Sequence, residues 1–177
     1  MFWKIPLNCI LLMLCFSSAI AQVVNFPDPN FKQALIKKKV DVNNDGEIQL
    51  AEAQKVTKLY LEETEFSSME GIKSFSNLEE FGTYKNKIRQ VDLQGMTSLK
   101  RLYLVGSKIE ILNIKGCMNL EHLSLTGNAL KDIDIREFKK LTELSLNYNQ
   151  LTRIEISNYP GLKTVNLSEN SIADFKI

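Results

Sequence analysis

From Val56 to Ile177 one pattern recurs six times, with copies beginning at Val56, Leu78, Leu99, Leu120, Leu141 and Leu162. The first spacing is 22 residues and each of the next four is 21. A fixed period of this length predicts a solenoid, in which each repeat is one small unit that stacks on its neighbours. The fourth and sixth positions of the copies are apolar between polar neighbours, as in Leu59 and Leu61, Leu123 and Leu125, and Val165 and Leu167. That alternation is the signature of a short strand buried on one face. One such strand cannot bury its apolar side alone. Six of them, side by side at about 4.8 Å, make a parallel sheet over one continuous core.

Further columns fix the register. Phe66, Ile88, Ile109, Leu130, Leu151 and Ile172 are apolar at one position, and Phe75, Met96, Cys117, Phe138 and Tyr159 recur three residues before each new copy. From the second copy on, a second alternating pair appears (Val91 and Leu93, Leu112 and Ile114, Ile133 and Ile135, Ile154 and Ile156, Phe175 and Ile177), which predicts a short extended segment on the outer side of each coil in place of a helix. The ninth position is Thr64, Asn86, Ser107, Asn128, Asn149 and Asn170. A small polar side chain turned inward after the strand can satisfy the backbone of the bend.

The frame L-x-x-L-x-L-x-x-N-x-L, as in Leu141 to Leu151, resembles the bacterial leucine-rich repeats, and the 22-residue first copy is nearest the internalin-like type. The likeness covers about two thirds of the chain, residues 56–177, divided as 56–77, 78–98, 99–119, 120–140, 141–161 and 162–177. The 21-residue copies depart from the internalin pattern, and their outer I-x-I leaves less material on the convex side. The resemblance implies a leucine-rich-repeat solenoid with a concave parallel sheet, little or no helix on its convex face, and a protein or peptide ligand, with glycans as a further class among relatives.

The N-terminus reads as a secretory signal peptide. Lys4 supplies a positive charge, Ile10 to Phe16 an apolar run, and Ala19-Ile20-Ala21 a small-x-small cleavage site, so residues 1–21 are expected to be removed. The run is too short to span a bilayer, which takes about 20 apolar residues. The expected address is the periplasm, the cell surface or the medium. Cys15 lacks the small preceding residue of a lipoprotein signal. Cleavage leaves Cys117 as the one thiol, in the apolar column with Met96 and Phe138, where a buried structural role competes with a reactive one.

The 177 residues carry 22 Lys and Arg against 21 Asp and Glu, so no basic excess calls for nucleic acid or anionic lipid. Residues 22–55 precede the repeats as a helical cap. Asp28-Pro29 is a helix start, with Asp28 at the N-cap and Phe31, Ala34, Leu35 and Lys38 on one face of a helix running to about Val40. Residues 41–52 then satisfy D-x-[DN]-x-[DN]-G-x5-E, the EF-hand calcium loop. Oxygen donors at Asp41, Asn43 and Asp45 would reach one side of Ca2+, Gly46 permits the turn, Glu47 offers its carbonyl, Gln49 acts through a water and Glu52 closes the shell. The alternative is a polar turn between two helices. With a single loop, a structural ion that caps the solenoid is expected rather than a sensor.

On the concave sheet the third positions run Lys58, Glu80, Arg101, His122, Glu143 and Thr164, and the fifth Tyr60, Gly82, Tyr103, Ser124, Ser145 and Asn166. Tyr60, Tyr84, Arg101 and Tyr103 form the expected ligand-binding patch, since tyrosine offers rigid apolar area with a polar tip; the competing explanation is that tyrosine is a good strand former. The one histidine, His122, has no nucleophile arranged near it beyond Ser124, and there is no nucleophile elbow, phosphate loop or zinc spacing. A monomeric, non-enzymatic protein-binding module is therefore expected, the alternative being a calcium-stabilised structural or adhesive surface element.

Overall fold

The computed structural model describes residues 22–62 and 65–176. The expected signal peptide, Thr64 and Ile177 lie outside the described residues. The chain opens with a short cap, helices α1 (Pro29–Lys37) and α2 (Leu50–Ala53), and then winds through the repeats. Strands β1 (Lys58–Leu61), β2 (Glu80–Tyr84), β4 (Arg101–Val105), β6 (His122–Ser124), β7 (Glu143–Ser145) and β9 (Thr164–Asn166) form one parallel sheet in that order. Its register sets Lys58, Glu80, Arg101, His122, Glu143 and Thr164 in one row, and Tyr60, Gly82, Tyr103, Ser124, Ser145 and Asn166 in another. Both rows are those set by the repeat.

The core runs along the axis as the columns require. Phe66, Ile88, Ile109, Leu130 and Leu151 are fully or almost fully buried, as are Phe75, Cys117 and Phe138. Cys117 is a buried free thiol whose Sγ lies 3.2 Å from the Leu93 carbonyl oxygen, and burial pushes its pKa up to about 11, so it is a core residue without thiolate character. One inward position departs from the apolar rule. Thr83 takes the sixth place of the second coil, fully buried, with its hydroxyl accepting a hydrogen bond from Asn86 Nδ2.

The inward asparagines tie each coil to the one before it. Asn149 Oδ1 accepts from Leu130 N–H at 3.1 Å while Nδ2 donates to the carbonyls of Leu125 (2.9 Å) and Leu146 (3.0 Å). Asn128 and Asn170 repeat this one coil earlier and one later, accepting from Ile109 and Leu151 and donating to the strand carbonyls of two successive coils. Ser107, at the same place, accepts from the Asn86 N–H at 3.3 Å. Backbone groups at the bends, which no strand ladder reaches, are thereby satisfied.

The outer side carries β3 (Gln90–Asp92) paired with β5 (Ile111–Asn113), and β8 (Arg153–Glu155) paired with β10 (Asp174–Lys176). The expectation of one extended segment in every coil from the second on fails in the fourth, where residues 131–135 form no strand. Asp132 and Asp134 flank Ile133 there. Asp134 accepts from the Arg136 backbone and side chain, and Asp132 from the Arg153 guanidinium of the next coil; aspartate is also a poor strand former. The first coil differs too, with a 3-10 helix (Ile72–Ser74) on its outer side.

The cap seals the N-terminal end of this core. Phe31, Ala34 and Leu35 of α1 are buried, with Phe31 packed 5.7 Å from Phe26 and 5.0 Å from Phe66, ring centre to ring centre. The helix ends at Lys37, earlier than the spacing implies, in a Schellman turn. Lys39 N–H donates to the Ile36 carbonyl and Val40 N–H to that of Leu35, and Lys39 adopts φ +62°. Lys38 is therefore exposed at the helix end while Val40 is buried. Asp28 joins the two parts. Its Oδ1 caps α1 through the N–H groups of Asn30 and Phe31, and its Oδ2 accepts from Ser67 N–H, Ser67 Oγ and Ser68 N–H of the first coil at 2.8 to 3.1 Å.

Candidate functional site: the concave sheet and the cap loop

The first three coils hold the densest side-chain constellation on the concave face. Glu80, central in the third-position row, is bonded on both oxygens: Lys58 Nζ and Arg101 Nη1 lie 2.9 Å from Oε1, and the Tyr60 hydroxyl donates to Oε2 at 2.9 Å. The Lys58 ammonium, with the Tyr60 and Arg101 donors, holds the Glu80 carboxyl below its ordinary range. Burial and the bond to Glu80 push the Tyr60 phenol up to about 12. Burial likewise raises that of Tyr103.

Gly82 sits between the two tyrosines in the fifth-position row. A Cβ built there would lie 2.5 Å from Tyr60 Cδ1, so the absence of a side chain lets the ring lie flat across the sheet. The Tyr60 and Tyr103 rings approach to 6.3 Å at an interplanar angle of 31°, a tilted aromatic platform spanning three coils. Tyr60, Arg101 and Tyr103 are thus brought together. Tyr84 is not. It lies at the end of β2 opposite Val105, 42% exposed, without a ring contact to either tyrosine, because one further residue pair along the strand carries it beyond their reach.

Farther along, His122 Nδ1 lies 3.0 Å from Glu143 Oε2. The Ser124 hydroxyl faces Thr126 Oγ1 at 3.4 Å. Opposite charges one repeat apart in a single column are the sequence signal for the Lys58–Glu80–Arg101 row, whereas the Tyr60 hydroxyl as a third donor to Glu80 has no such signal.

The cap loop is folded around its own backbone donors. Gly46 has φ +84°, and its N–H donates to Asp41 Oδ2 at 2.9 Å while Asn44 N–H donates to Asp41 Oδ1 at 2.7 Å. Glu52 Oε1 accepts from Val42 (2.8 Å) and Asn43 (3.3 Å), and Oε2 from Gln49 N–H (2.9 Å), which also caps α2. Asp45 Oδ1 accepts from Glu47 N–H at 2.8 Å, and its Oδ2 from the side-chain amides of Asn43 and Gln49, each at 2.8 Å. The Glu47 N–H is the largest cause holding the Asp45 carboxyl below its usual value. The Glu47 carboxylate itself pairs with Lys32 at 2.7 Å.

Among the described residues no three His, Cys, Asp or Glu side chains gather closely enough to hold a metal. The donor set nevertheless suits a hard cation. Every donor is oxygen, the turn at Gly46 is formed, and both Asp41 oxygens, Asp45 Oδ1 and Glu52 Oε2 each accept one N–H bond and keep a lone pair. Rotation of the Asn43 and Gln49 amides would exchange two N–H donors for two oxygens. Outside this loop, Gln22 and Val24 clamp it from the N-terminal side: Val24 N–H donates to the Ile48 carbonyl (2.9 Å) and Leu50 N–H to that of Gln22 (2.7 Å). Among the described residues no helix is long and apolar enough to cross a membrane.

Comparison with known proteins agrees with this geometry. Residues 139–177 match the family model described as leucine rich repeats (2 copies), and residues 116–138 the one described as leucine rich repeat. No curated protein matches. Among solved structures, an internalin (inlF) from Listeria monocytogenes superposes with a TM-score of 0.77 at 23% identity, covering 88% of this chain and 48% of that one. The functional domain of InlJ from Listeria monocytogenes, which includes a cysteine ladder, gives 0.61 at 23% identity, covering 86% of this chain and 39% of that one. This chain spans less than half the length of either. Among the described residues of this chain Cys117 is a buried free thiol. The parallel six-stranded sheet, the asparagine bends and the matched repeats make this fold a leucine-rich-repeat solenoid.

Proposed function

We propose that this chain is an exported bacterial protein-binding module, monomeric and non-enzymatic, that displays a rigid concave sheet to a protein or peptide ligand. One observation carries the reading. A Tyr60–Tyr103 platform spans Gly82 and is fixed at Tyr60 by its bond to Glu80, which itself is held by Lys58 and Arg101. Prefixed side chains lose little freedom on binding, and a rigid aromatic surface rimmed by charge is the make-up of an energetic centre at an interface. The strand ladder adds to the rigidity, since five pairings in one register leave the face no alternative shape.

Ca2+ belongs to the same reading as a structural ion of the cap. Asp41, Asn43, Asp45, Glu47, Gln49 and Glu52 would hold it, supplying hard oxygen ligands between α1 and α2, with affinity on the order of 0.1 to 1 mM expected for an extracellular module. Loss of the ion would loosen the α1–α2 junction and leave the concave patch in place.

The test is capture of partners from cells that encode the protein, with the wild type and with a Tyr60→Ala, Tyr103→Ala double variant. A ligand held by the wild type and lost by the double variant supports the module. A ligand retained by the double variant favours the alternative, a structural or adhesive surface element without a discrete concave ligand.

A further inference from the structure

Next to Tyr60 the concave sheet runs into a hollow of about 350 Å³ where the cap meets the first coil. Lys38 and Lys39 from the end of α1, Lys58 from β1 and the Tyr60 ring surround it, with Val40 and Val56 as its apolar back. Lys38 and Lys39 are exposed, and among the described residues neither has a carboxylate within ion-pair distance. Lys58 and, farther along, Arg101 share one carboxylate, Glu80, whose oxygens are already engaged by three donors. Other carboxylates stand along the sheet: Glu62 at the end of β1, Glu79 paired with Lys100, Glu121 at 3.8 Å from Arg101 Nη2, and Glu143 against His122. The hollow therefore gathers three ammonium groups, of which Lys38 and Lys39 have no ion-pair partner among the described residues.

The backbone fixes where Lys39 stands. Lys39 holds φ +62° in a Schellman turn, the place where glycine is strongly preferred because a side chain there is strained. A lysine kept at such a position lines the hollow.

We propose that this hollow is a subsite for an acidic peptide segment of the partner, its carboxylates meeting Lys38, Lys39 and Lys58 and an apolar or aromatic side chain lying on the Tyr60–Tyr103 platform. The inference rests on the protein-binding reading of the concave face and names the ligand chemistry at its N-terminal end. Lys38 and Lys39 lose no existing ion pair when a carboxylate arrives, while Lys58 adds its charge from its pair with Glu80, and charge-assisted contacts set both register and approach rate.

The probe is a fluorescein-labelled hexapeptide with four acidic residues and one phenylalanine, compared with a twin carrying amides in place of the acids. Binding is followed by anisotropy and by amide shifts of the 15N-labelled protein. The acidic peptide is expected to bind at least about tenfold more tightly than its twin, to move the Val40, Leu59 and Tyr60 amides, and to weaken about tenfold with Lys38→Glu plus Lys39→Glu. Lys37→Glu, one residue outside the hollow, should change binding less than about twofold, since a single exposed charge acts mainly through screened attraction. Equal binding of the twin, an equal loss at Lys37, or preferential binding of a sulfated oligosaccharide or anionic lipid vesicles would overturn the proposal. Failure here with loss of a captured partner in the Tyr60→Ala, Tyr103→Ala variant would leave the protein-binding reading standing and remove only the acidic subsite.

Discussion

The ring of Tyr60 lies across Gly82 so closely that a methyl group at position 82 would stand 2.5 Å from Tyr60 Cδ1 and 2.8 Å from Cε1. The pair couples a backbone choice in the second coil to a side-chain position in the first. Gly82→Ala is expected to lift the ring from the sheet and break the Tyr60–Glu80 bond. The readout is tyrosine ionisation followed by ultraviolet absorbance. In the wild type Tyr60 titrates at about 12; in the variant its midpoint falls toward the ordinary value, and an unchanged titration would show that the ring does not depend on Gly82. The sign for stability follows from the raised value. The folded state holds this proton more tightly than the unfolded chain, so the contribution is full below the ordinary phenol value of 10.0 and is lost as pH rises through about 12.

Asn149→Ala removes an acceptor for Leu130 N–H and a donor to the carbonyls of Leu125 and Leu146, all in the interior. Unpaired buried groups should cost about 1 to 3 kcal/mol. Urea unfolding measures it through a lower midpoint at unchanged slope. A wild-type midpoint would mean that the bend satisfies itself without the side chain.

Asp28 is the one residue that both caps α1 and grips the first coil. Asp28→Ala is expected to destabilise by about 2 to 4 kcal/mol, the lost cap adding to unpaired Ser67 and Ser68 donors. Burial by itself would raise this carboxyl, but the N–H and hydroxyl groups of Ser67, Phe31 and Ser68 outweigh it and hold the value below the ordinary 3.8. Since the folded value is the lower one, the stability it confers is present above the unfolded value and disappears as pH falls through the folded value. Acid unfolding of the wild type and the variant should therefore converge at low pH; parallel curves would deny the linkage.

Calcium is expected to raise the melting temperature relative to excess chelator, because an ion that binds only the folded loop stabilises it by mass action. Glu52→Ala is a poor control, since Glu52 already accepts three backbone N–H bonds. Asp45→Asn keeps an acceptor for Glu47 N–H and removes one charge from the donor set. The rise should shrink in that variant. No rise in the wild type would reduce the loop to a polar turn.

Lys39→Gly separates folding from binding at one position. Relief of the left-handed strain is expected to raise stability by up to about 1 kcal/mol, partly offset by the greater freedom of glycine in the unfolded chain. Binding of the acidic peptide should weaken in the same protein. A variant that is more stable and binds equally well would show that the lysine at φ +62° serves no ligand.

The repeat length and its apolar columns alone determined the sheet order, the two concave rows and the buried thiol, because stacked copies of one short pattern have only one register that keeps every leucine inside. The helix cap at Asp28 and the loop at residues 41–52 were equally local, being set by neighbours within a dozen positions. What the tertiary structure decided lay between coils or across the cap boundary. Glu80 draws on Lys58, Tyr60 and Arg101 from two other repeats, Asp28 reaches Ser67 and Ser68, and Tyr84 stands apart although it shares a face with the platform. In the fourth coil, where the outer strand is missing, Asp132 meets Arg153, a partner one coil away. Backbone periodicity places side chains in rows, but which of several neighbours a long charged or aromatic side chain chooses is settled by geometry that exists only after the coils have stacked.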